Sequence, residues 1–172
     1  MKTVRAIVLD TSAFIMGYEA GDVNEKQYTV PTVLDELSNG SFPKIRLENA
    51  VITGRLQVIT PGKESEEKVK IILEKMGETA ALSLTDKQIL SLGVQLEMEG
   101  YAVVIVSDDY GVQNISDSLG LNFRSLATRG IKKRIEWQIY CPGCRKIFNK
   151  PQEDNICTIC GTSLKRRPKR RT

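Results

Sequence analysis

Cysteine and carboxylate side chains are the groups in this 172-residue chain whose types and spacing could support chemistry. Histidine is absent, which excludes Ser-His-Asp catalysis, Cys-His catalysis and histidine-bound zinc. Any catalysis must therefore depend on carboxylates, lysines or a bound metal ion.

The cysteines lie in the C-terminal third of the chain, in two pairs with the spacing C-x2-C-x12-C-x2-C. They are Cys141, Cys144, Cys157 and Cys160. Two thiolates three positions apart on a tight turn can bind one tetrahedral ion, and Gly143 and Gly161 are expected to give the turns their backbone freedom. Two disulfides are the alternative, which a chain without a recognisable secretion signal disfavours. The spacing predicts one structural zinc ion with no open position for catalysis.

Acidic residues follow two predicted strands at the point where each strand ends. Asp10 follows the apolar residues 4–9, and the pair Asp108 and Asp109 follows residues 102–107. Ligand sites in open α/β sheets lie beyond the carboxyl ends of the strands, so these acids are expected at the functional edge. The alternative is that Asp10 and Asp109 only cap the helices that follow them.

A third acid, Asp86, shares the apolar face of a predicted helix with Ile89. A lone buried carboxylate is costly unless it is paired or binds a cation. Thr85 and Gln88 have the spacing of a capping box, which would place Asp86 in the first helical turn. We therefore expect Asp86 at the mouth of the sheet, beside a cation.

Glu36 is the fourth candidate, on a helix opened by Pro31. Its helical phase places Glu36 at the border of the apolar stripe, whereas its neighbour Asp35 faces water. A solvated face is the alternative explanation for these adjacent acids. Four acids from four separate elements together predict a site of hard oxygen ligands for Mg²⁺ or Mn²⁺, suited to phosphodiester hydrolysis.

Short apolar strands alternate with amphipathic helices, which predicts an α/β fold with a largely parallel central sheet flanked by helices. Strands are expected at about 4–9, 28–30, 56–59, 102–106 and 121–123, and helices at about 12–17, 31–39, 43–53, 65–76, 86–99 and 110–118. The expected units are the main body at 1–128, a basic linker at 129–135, a zinc-binding unit at 136–164 and a disordered basic tail at 165–172. The apolar runs are too short for a membrane span, and a cytoplasmic protein is expected.

Charge divides the chain into two parts. Residues 1–128 carry 12 Lys and Arg against 18 Asp and Glu, a net charge of −6, and residues 129–172 carry 13 against 3, a net charge of +10. This asymmetry predicts that the C-terminal part binds a polyanion while the acidic body performs carboxylate chemistry. The alternative is that the basic part only improves solubility.

Four segments of the chain resemble the PIN-domain ribonucleases. They are residues 8–13, 30–37, 84–89 and 106–110. The resemblance covers about residues 1–125 and implies a PIN-like domain that binds Mg²⁺ or Mn²⁺ through four acids. The implied site residues are Asp10, Glu36, Asp86 and Asp108, with Asp109 as the alternate for Asp108 and with Ser12 and Ser107 as supporting polar positions.

A PIN domain followed by a four-cysteine zinc ribbon resembles the archaeal type of the Nin-one-binding (NOB) family of ribosome-biogenesis endonucleases. Gln113 and Asn114 after the acidic pair support this resemblance. It implies cleavage of precursor small-subunit (16S) rRNA to form the mature 3′ end, and a place on the precursor small ribosomal subunit. Two alternatives stay open, namely a non-catalytic RNA-binding scaffold and a toxin-like PIN ribonuclease that acts on tRNA or mRNA.

The basic residues of the C-terminal part are expected to contact RNA phosphates. They are Lys132, Lys133, Arg134, Arg145, Lys146, Lys165, Arg166, Arg167, Lys169, Arg170 and Arg171.

Overall fold

A parallel sheet of five strands forms the centre of the main body. The computed structural model describes residues 4–126, 137–148 and 154–168. The strands are β1 (Arg5–Leu9), β2 (Lys26–Thr29), β3 (Gln57–Val58), β4 (Ala102–Val106) and β5 (Asn122–Arg124), in the order β3-β2-β1-β4-β5. The central strands β1 and β4 pair in register from Arg5 opposite Ala102 to Leu9 opposite Val106. The predicted parallel α/β fold is therefore confirmed.

Within the described residues, six α-helices flank this sheet. They are α1 (Thr11–Ile15), α2 (Pro31–Glu36), α3 (Phe42–Ile52), α4 (Lys63–Met76), α5 (Leu84–Met98) and α6 (Tyr110–Leu119), with a short 3-10 helix at Ala20–Asp22. Helix α2 is three residues shorter than predicted because the backbone of Leu37 is extended. None of the helices in the described parts of the chain combines the length and the apolarity of a transmembrane span.

Helix α5 begins earlier than predicted because Ser83 caps it. The Oγ of Ser83 accepts a hydrogen bond from the Asp86 amide at 3.1 Å, and Asp86 Oδ2 accepts one from the Ser83 amide at 2.8 Å. The predicted capping box of Thr85 and Gln88 is therefore wrong. Thr85 is buried, and Gln88 instead accepts a hydrogen bond from Thr32 of α2 at 2.9 Å. Asp86 does lie in the first turn.

Gly93 allows helix α5 to lie close to the sheet. A Cβ at this position would come within 3.0 Å of the terminal methyl carbons of Ile105 and Leu121. Because α5 precedes β4 and runs back across the sheet, its first turn lies at the edge where the strands end. The close approach therefore brings that first turn toward the ends of β1 and β4.

The C-terminal unit contains a second, antiparallel sheet. Its strands are β6 (Trp137–Tyr140), β7 (Ile147–Phe148) and β8 (Lys165–Pro168), in the order β7-β6-β8. The prediction that residues 165–172 are disordered is wrong for the first four of them, because they pair with β6 and the guanidinium of Arg167 lies 4.6 Å from the ring centre of Tyr140. The predicted linker and the remainder of the predicted tail lie outside the described residues.

One side chain of β8 contacts the main body. Arg166 Nη1 donates to the Gly77 carbonyl oxygen at 2.6 Å and to Glu78 Oε2 at 3.0 Å. The side chain of Glu78 is 6% exposed, so the pair replaces much of the water that this carboxylate would otherwise bind. Arg166, a predicted RNA contact, thus also joins the two units.

The substitution Gly93→Val is expected to lower the free energy of unfolding by about 1–3 kcal/mol, because the added methyl groups would overlap with Ile105 and Leu121. Urea denaturation measures the change. Glu97→Val, at an exposed position of the same helix, is the control, because it adds a β-branched residue without a core contact. An equal decrease in the free energy of unfolding of the two variants would show that overlap with Ile105 and Leu121 does not cause the effect at Gly93.

Candidate active site and zinc centre

Asp10 is the buried carboxylate of the site, with 5% of its surface exposed. Its Oδ2 accepts hydrogen bonds from Ser107 Oγ at 2.7 Å and from Ser12 Oγ at 3.1 Å, and its Oδ1 accepts one from the Thr11 amide at 2.7 Å. Strands β1 and β4 are neighbours, which is why Ser107 reaches Asp10. Burial raises the pKa of Asp10, and the hydrogen bond from Ser107 opposes that rise.

Asp86 brings a second negative charge toward Asp10. Its charge also raises the pKa of Asp10, as expected for two carboxylates at one end of the sheet. Asp86 is half-buried, and one of its oxygens is used by the Ser83 amide. The pair is least costly when a proton or a cation lies between them.

Glu36 is exposed and is the last residue of α2. The hydroxyl of Thr11 donates a hydrogen bond to its Oε2. Since the Thr11 amide binds Asp10, one residue connects the carboxylate at the end of β1 with the carboxylate at the end of α2. Sequence analysis did not identify Thr11, because nothing in a local pattern links it to a residue 25 positions away.

The carboxylate of Asp108 is directed toward the end of β5. Its Oδ1 accepts hydrogen bonds from the Leu126 amide at 2.9 Å and from the Ser125 hydroxyl. The Asp108 amide donates to Ser12 Oγ at 3.0 Å. The backbone of Asp108 thus supports the serine that binds Asp10, while its side chain holds the segment after β5.

The carboxylate of Asp109 lies at the start of its own helix, α6. It caps α6 by accepting a hydrogen bond from the Val112 amide at 3.0 Å. A Cβ on Gly111 would lie 2.9 Å from Asp109 Oδ1 and 2.8 Å from Leu82, just before the start of α5. Asp109 Oδ1 and Leu82 therefore border the same space beside Gly111.

Gln113 holds the loop between β4 and α6. It is fully buried, and its Nε2 donates to the Ser107 carbonyl oxygen at 2.8 Å. The Asp109 amide donates to Ser107 Oγ at 3.1 Å. Ser107 is thus fixed through both its backbone and its side chain.

The carboxylates do not form a closed cage. Among the described residues, the four cysteines are the one group of three or more Cys, Asp or Glu whose ligand atoms all lie within 4.8 Å of one another. Mg²⁺ usually keeps several waters and binds one or two carboxylates, so an open edge of hard oxygens fits a hydrated divalent ion. Asp10 uses three of about four acceptor positions on hydrogen bonds, which leaves one for a metal.

The four cysteine sulfurs fit a zinc ion. The Sγ atoms of Cys141 and Cys160 are 3.3 Å apart, and those of Cys144 and Cys157 are 3.6 Å apart. A tetrahedral ion with Zn–S bonds of about 2.3 Å separates its sulfurs by about 3.8 Å. The two separations are slightly shorter than this value and all four sulfurs lie within 4.8 Å of one another, so the cluster is of the right size for one tetrahedral ion.

The two cysteine turns use different residues for the left-handed backbone. The amides of Arg145 and Gly161 bind the carbonyl oxygens of Cys141 and Cys157 at 2.9 Å, and their φ values are +63° and +72°. The expectation that Gly143 supplies this freedom is wrong, because Arg145 occupies the position equivalent to Gly161. Gly143 instead provides space, since a Cβ there would lie 2.7 Å from Thr162 Oγ1.

The predicted RNA contacts fall into three groups. Arg145, Lys146 and Lys165 are exposed. Arg166 and Arg167 have the intramolecular partners described above. Lys132, Lys133, Arg134, Lys169, Arg170 and Arg171 lie outside the described residues.

The known proteins that this chain resembles are ribonucleases. The family described as the PIN domain of ribonuclease matches residues 7–96, just over half of the chain. The chain is 40% identical to the Endoribonuclease Nob1 of Pyrococcus abyssi over 95% of this chain and 94% of that protein. It is 34% identical to the Ribonuclease VapC1 of Thermoplasma acidophilum over 92% of this chain and 76% of that protein. It is 33% identical to the 20S-pre-rRNA D-site endonuclease NOB1 of Saccharomyces cerevisiae over 56% of this chain and 21% of that protein.

Metal analysis of the purified chain is expected to find one zinc ion. Removing it should unfold the C-terminal unit and leave the α/β unit folded, because the buried cluster beside the cysteines is small. Amide NMR spectra before and after chelation measure both effects. A chain without zinc, or cysteines that react with alkylating agents only after reduction, would contradict the assignment.

Mn²⁺ is expected to raise the melting temperature of the wild-type chain at neutral pH, and Asp10→Asn should remove that increase. The pKa of Asp10 is raised on folding, so its charge destabilises the metal-free fold above the ordinary pKa, and this cost disappears as the pH falls and the group is protonated. The metal-free Asn variant should therefore melt no lower than the wild type, since Asn also caps helices well.

Thermal melts in EDTA and in Mn²⁺ test this expectation. The exposed Asp35→Asn variant is the control and should keep the increase. If Mn²⁺ raised the melting temperature of the Asp10→Asn variant as much as that of the wild type, the Asp10 carboxylate would be excluded as a metal ligand.

Proposed function

The chain belongs to the Nob1 family of PIN-domain endoribonucleases, and on that basis we propose that it cuts precursor 16S rRNA to form the mature 3′ end. The expected PIN-like α/β domain and the expected endoribonuclease activity are confirmed by this membership. The proposed substrate rests on the name of the yeast relative, a pre-rRNA endonuclease. We place the reaction on the precursor small ribosomal subunit in the cytoplasm.

The observation that carries metal-dependent cleavage in this proposal is the buried Asp10 at the end of β1, with the charge of Asp86 acting on it. A hydrated Mg²⁺ or Mn²⁺ bound there would supply a polarised phosphate oxygen and an activated water. Asp10, Asp86 and Glu36 are the proposed ligands. Ser12 and Ser107 orient Asp10 through their hydroxyl groups.

We assign the fourth carboxylate to Asp109, which sequence analysis treated as the alternate. Asp109 Oδ1 and Leu82, which lies just before the start of α5, both border the space beside Gly111. Asp108 uses its carboxylate to hold Ser125 and Leu126. Its backbone amide, which binds Ser12, would still support the site when the carboxylate is neutralised.

The C-terminal unit is proposed to bind the RNA. Arg145, Lys146 and Lys165 are exposed on this zinc unit, and positive side chains there can neutralise phosphates. The acidic main body, with a net charge of −6 over residues 1–128, would repel RNA without such a unit. Binding and cutting are thus divided between the two parts of the chain.

A ribonuclease that acts on tRNA or mRNA is the second candidate function. The similarity to Ribonuclease VapC1, which extends over most of the chain, favours a ribonuclease whose substrate is other than pre-rRNA, since the name of that relative does not mention rRNA. The non-catalytic scaffold is disfavoured, because the carboxylates share one end of the sheet and the family is one of endoribonucleases. The two ribonuclease functions differ in which RNA is cut at a single position, namely precursor 16S rRNA for the first and a tRNA or mRNA for the second.

Asp10→Asn, Asp86→Asn and Glu36→Gln are each expected to lower the rate of Mn²⁺-dependent RNA cleavage by more than about 100-fold, because each removes a metal ligand. RNA affinity should change little, since neutralising an acid near phosphate lessens repulsion. Mapping of the cleavage ends in a precursor 16S rRNA measures the rate and the position of cutting.

The matched controls are neighbouring acids. Asp35→Asn should retain full activity, because Asp35 is exposed beside Glu36. Asp109→Asn should be inactive and Asp108→Asn should retain most activity. Scattered cuts in rRNA together with single cuts in a tRNA would favour the second candidate function, and activity in excess EDTA would contradict metal-dependent cleavage.

A further inference from the structure

Thr11 lies between two of the proposed metal ligands and donates a hydrogen bond to each. Its amide donates to Asp10 Oδ1 at 2.7 Å, and its hydroxyl donates to Glu36 Oε2. Asp10 follows β1, and Glu36 ends α2, so the two acids belong to separate elements. Thr11 is therefore a direct link between carboxylates that the sheet and helix packing place independently.

The position of the Glu36 carboxylate depends on its hydrogen bond from Thr11 more than the position of the Asp10 carboxylate does. Asp10 is buried and accepts hydrogen bonds from Ser12 and Ser107 as well. Glu36 is exposed, and within the described residues the Thr11 hydroxyl is the one hydrogen-bond donor to its carboxylate. A long exposed side chain at a helix end loses considerable freedom when it is ordered.

We propose that Thr11 is a positioning residue that presents Glu36, together with Asp10, to one divalent cation. The inference rests on the proposed metal-dependent function and goes beyond it by assigning a role to a residue that is not itself a ligand. The hydroxyl donates to one oxygen of Glu36 and leaves the other free to face a cation. Hydrogen-bond partners of metal ligands generally affect metal affinity in this way.

This role has a distinct signature. Without the hydroxyl, the cation itself must order Glu36, so the loss appears in metal affinity. Once the metal saturates the site, the ligands are the same as in the wild type, and the cleavage rate should recover. A purely structural role would instead lower the melting temperature and leave the Mn²⁺ affinity unchanged.

The test compares Mn²⁺ binding to full-length variants by electron paramagnetic resonance of the free ion. Thr11→Val keeps the shape of the side chain and the backbone amide but removes the hydroxyl, and it should weaken binding by roughly 10- to 100-fold. Thr11→Ser keeps the donor and should bind like the wild type. Thr53→Val, which removes a hydroxyl bonded to the Asn49 carbonyl of α3, is the matched control and should also bind like the wild type.

A double-mutant cycle with Glu36→Gln tests whether Thr11 affects Mn²⁺ affinity through Glu36. In that background Thr11→Val should cause no further loss of Mn²⁺ affinity. Unchanged affinity in Thr11→Val, an equal loss in Thr11→Ser, or additive losses in the cycle would each overturn the inference. If Thr11→Val does not fold, Thr11→Ala takes its place in every comparison.

The cleavage assay completes the test. The rate of Thr11→Val at saturating Mn²⁺ should return to near the wild-type rate, and a rate that stays low would overturn the inference. If the wild-type chain binds neither Mn²⁺ nor Mg²⁺, the proposed metal site and this inference both fail. Metal binding that responds to Thr11 as expected, without RNA cleavage, would contradict the proposed function alone.

Discussion

The negative charge of Asp10, buried where the central strands end, is the constraint around which the main body is arranged. An ionised carboxylate with 5% of its surface exposed is unstable unless donors or a cation replace its lost water. Ser12, Thr11 and Ser107 supply three donors from two chain segments that only the parallel pairing of β1 and β4 brings together. Burial, and to a smaller degree the charge of Asp86, keeps the pKa of Asp10 raised despite these donors, which favours a cation.

The chain contains two contrasting environments for metals. The four cysteines converge within 4.8 Å and leave no open position for a substrate, so an ion bound there could act only as part of a small core. The carboxylates stay apart at an open sheet edge, where an ion can keep water and meet a phosphate. The contact of Arg166 with Glu78 connects the two units, and it fixes one strand of the basic unit against the acidic body.

Local patterns in the sequence account for the features that depend on neighbours along the chain. The apolar runs that end in Asp10 and in the pair Asp108 and Asp109 predict β1, β4 and the edge they share, because strand polarity alone brings their ends together. The cysteine spacing predicts a zinc centre because each pair of cysteines closes within one turn. The sequence also predicts Asp86 in the first turn of α5, although Ser83 and Asp86 form the capping box there in place of Thr85 and Gln88.

Local patterns do not predict features that depend on the direction of a side chain or on partners distant in sequence. Asp108 and Asp109 are equivalent in sequence, and they differ only because one meets the segment after β5 and the other caps α6. The basic residues that begin the tail suggest disorder, yet strand pairing with β6 and the contact of Arg167 with Tyr140 order them. The bond from Thr11 to Glu36 exists only because α2 ends beside the start of α1. The positions of Asp10 and Asp86 at the sheet edge are therefore predictable from local sequence, whereas the hydrogen bonds that orient the carboxylates follow from the tertiary fold.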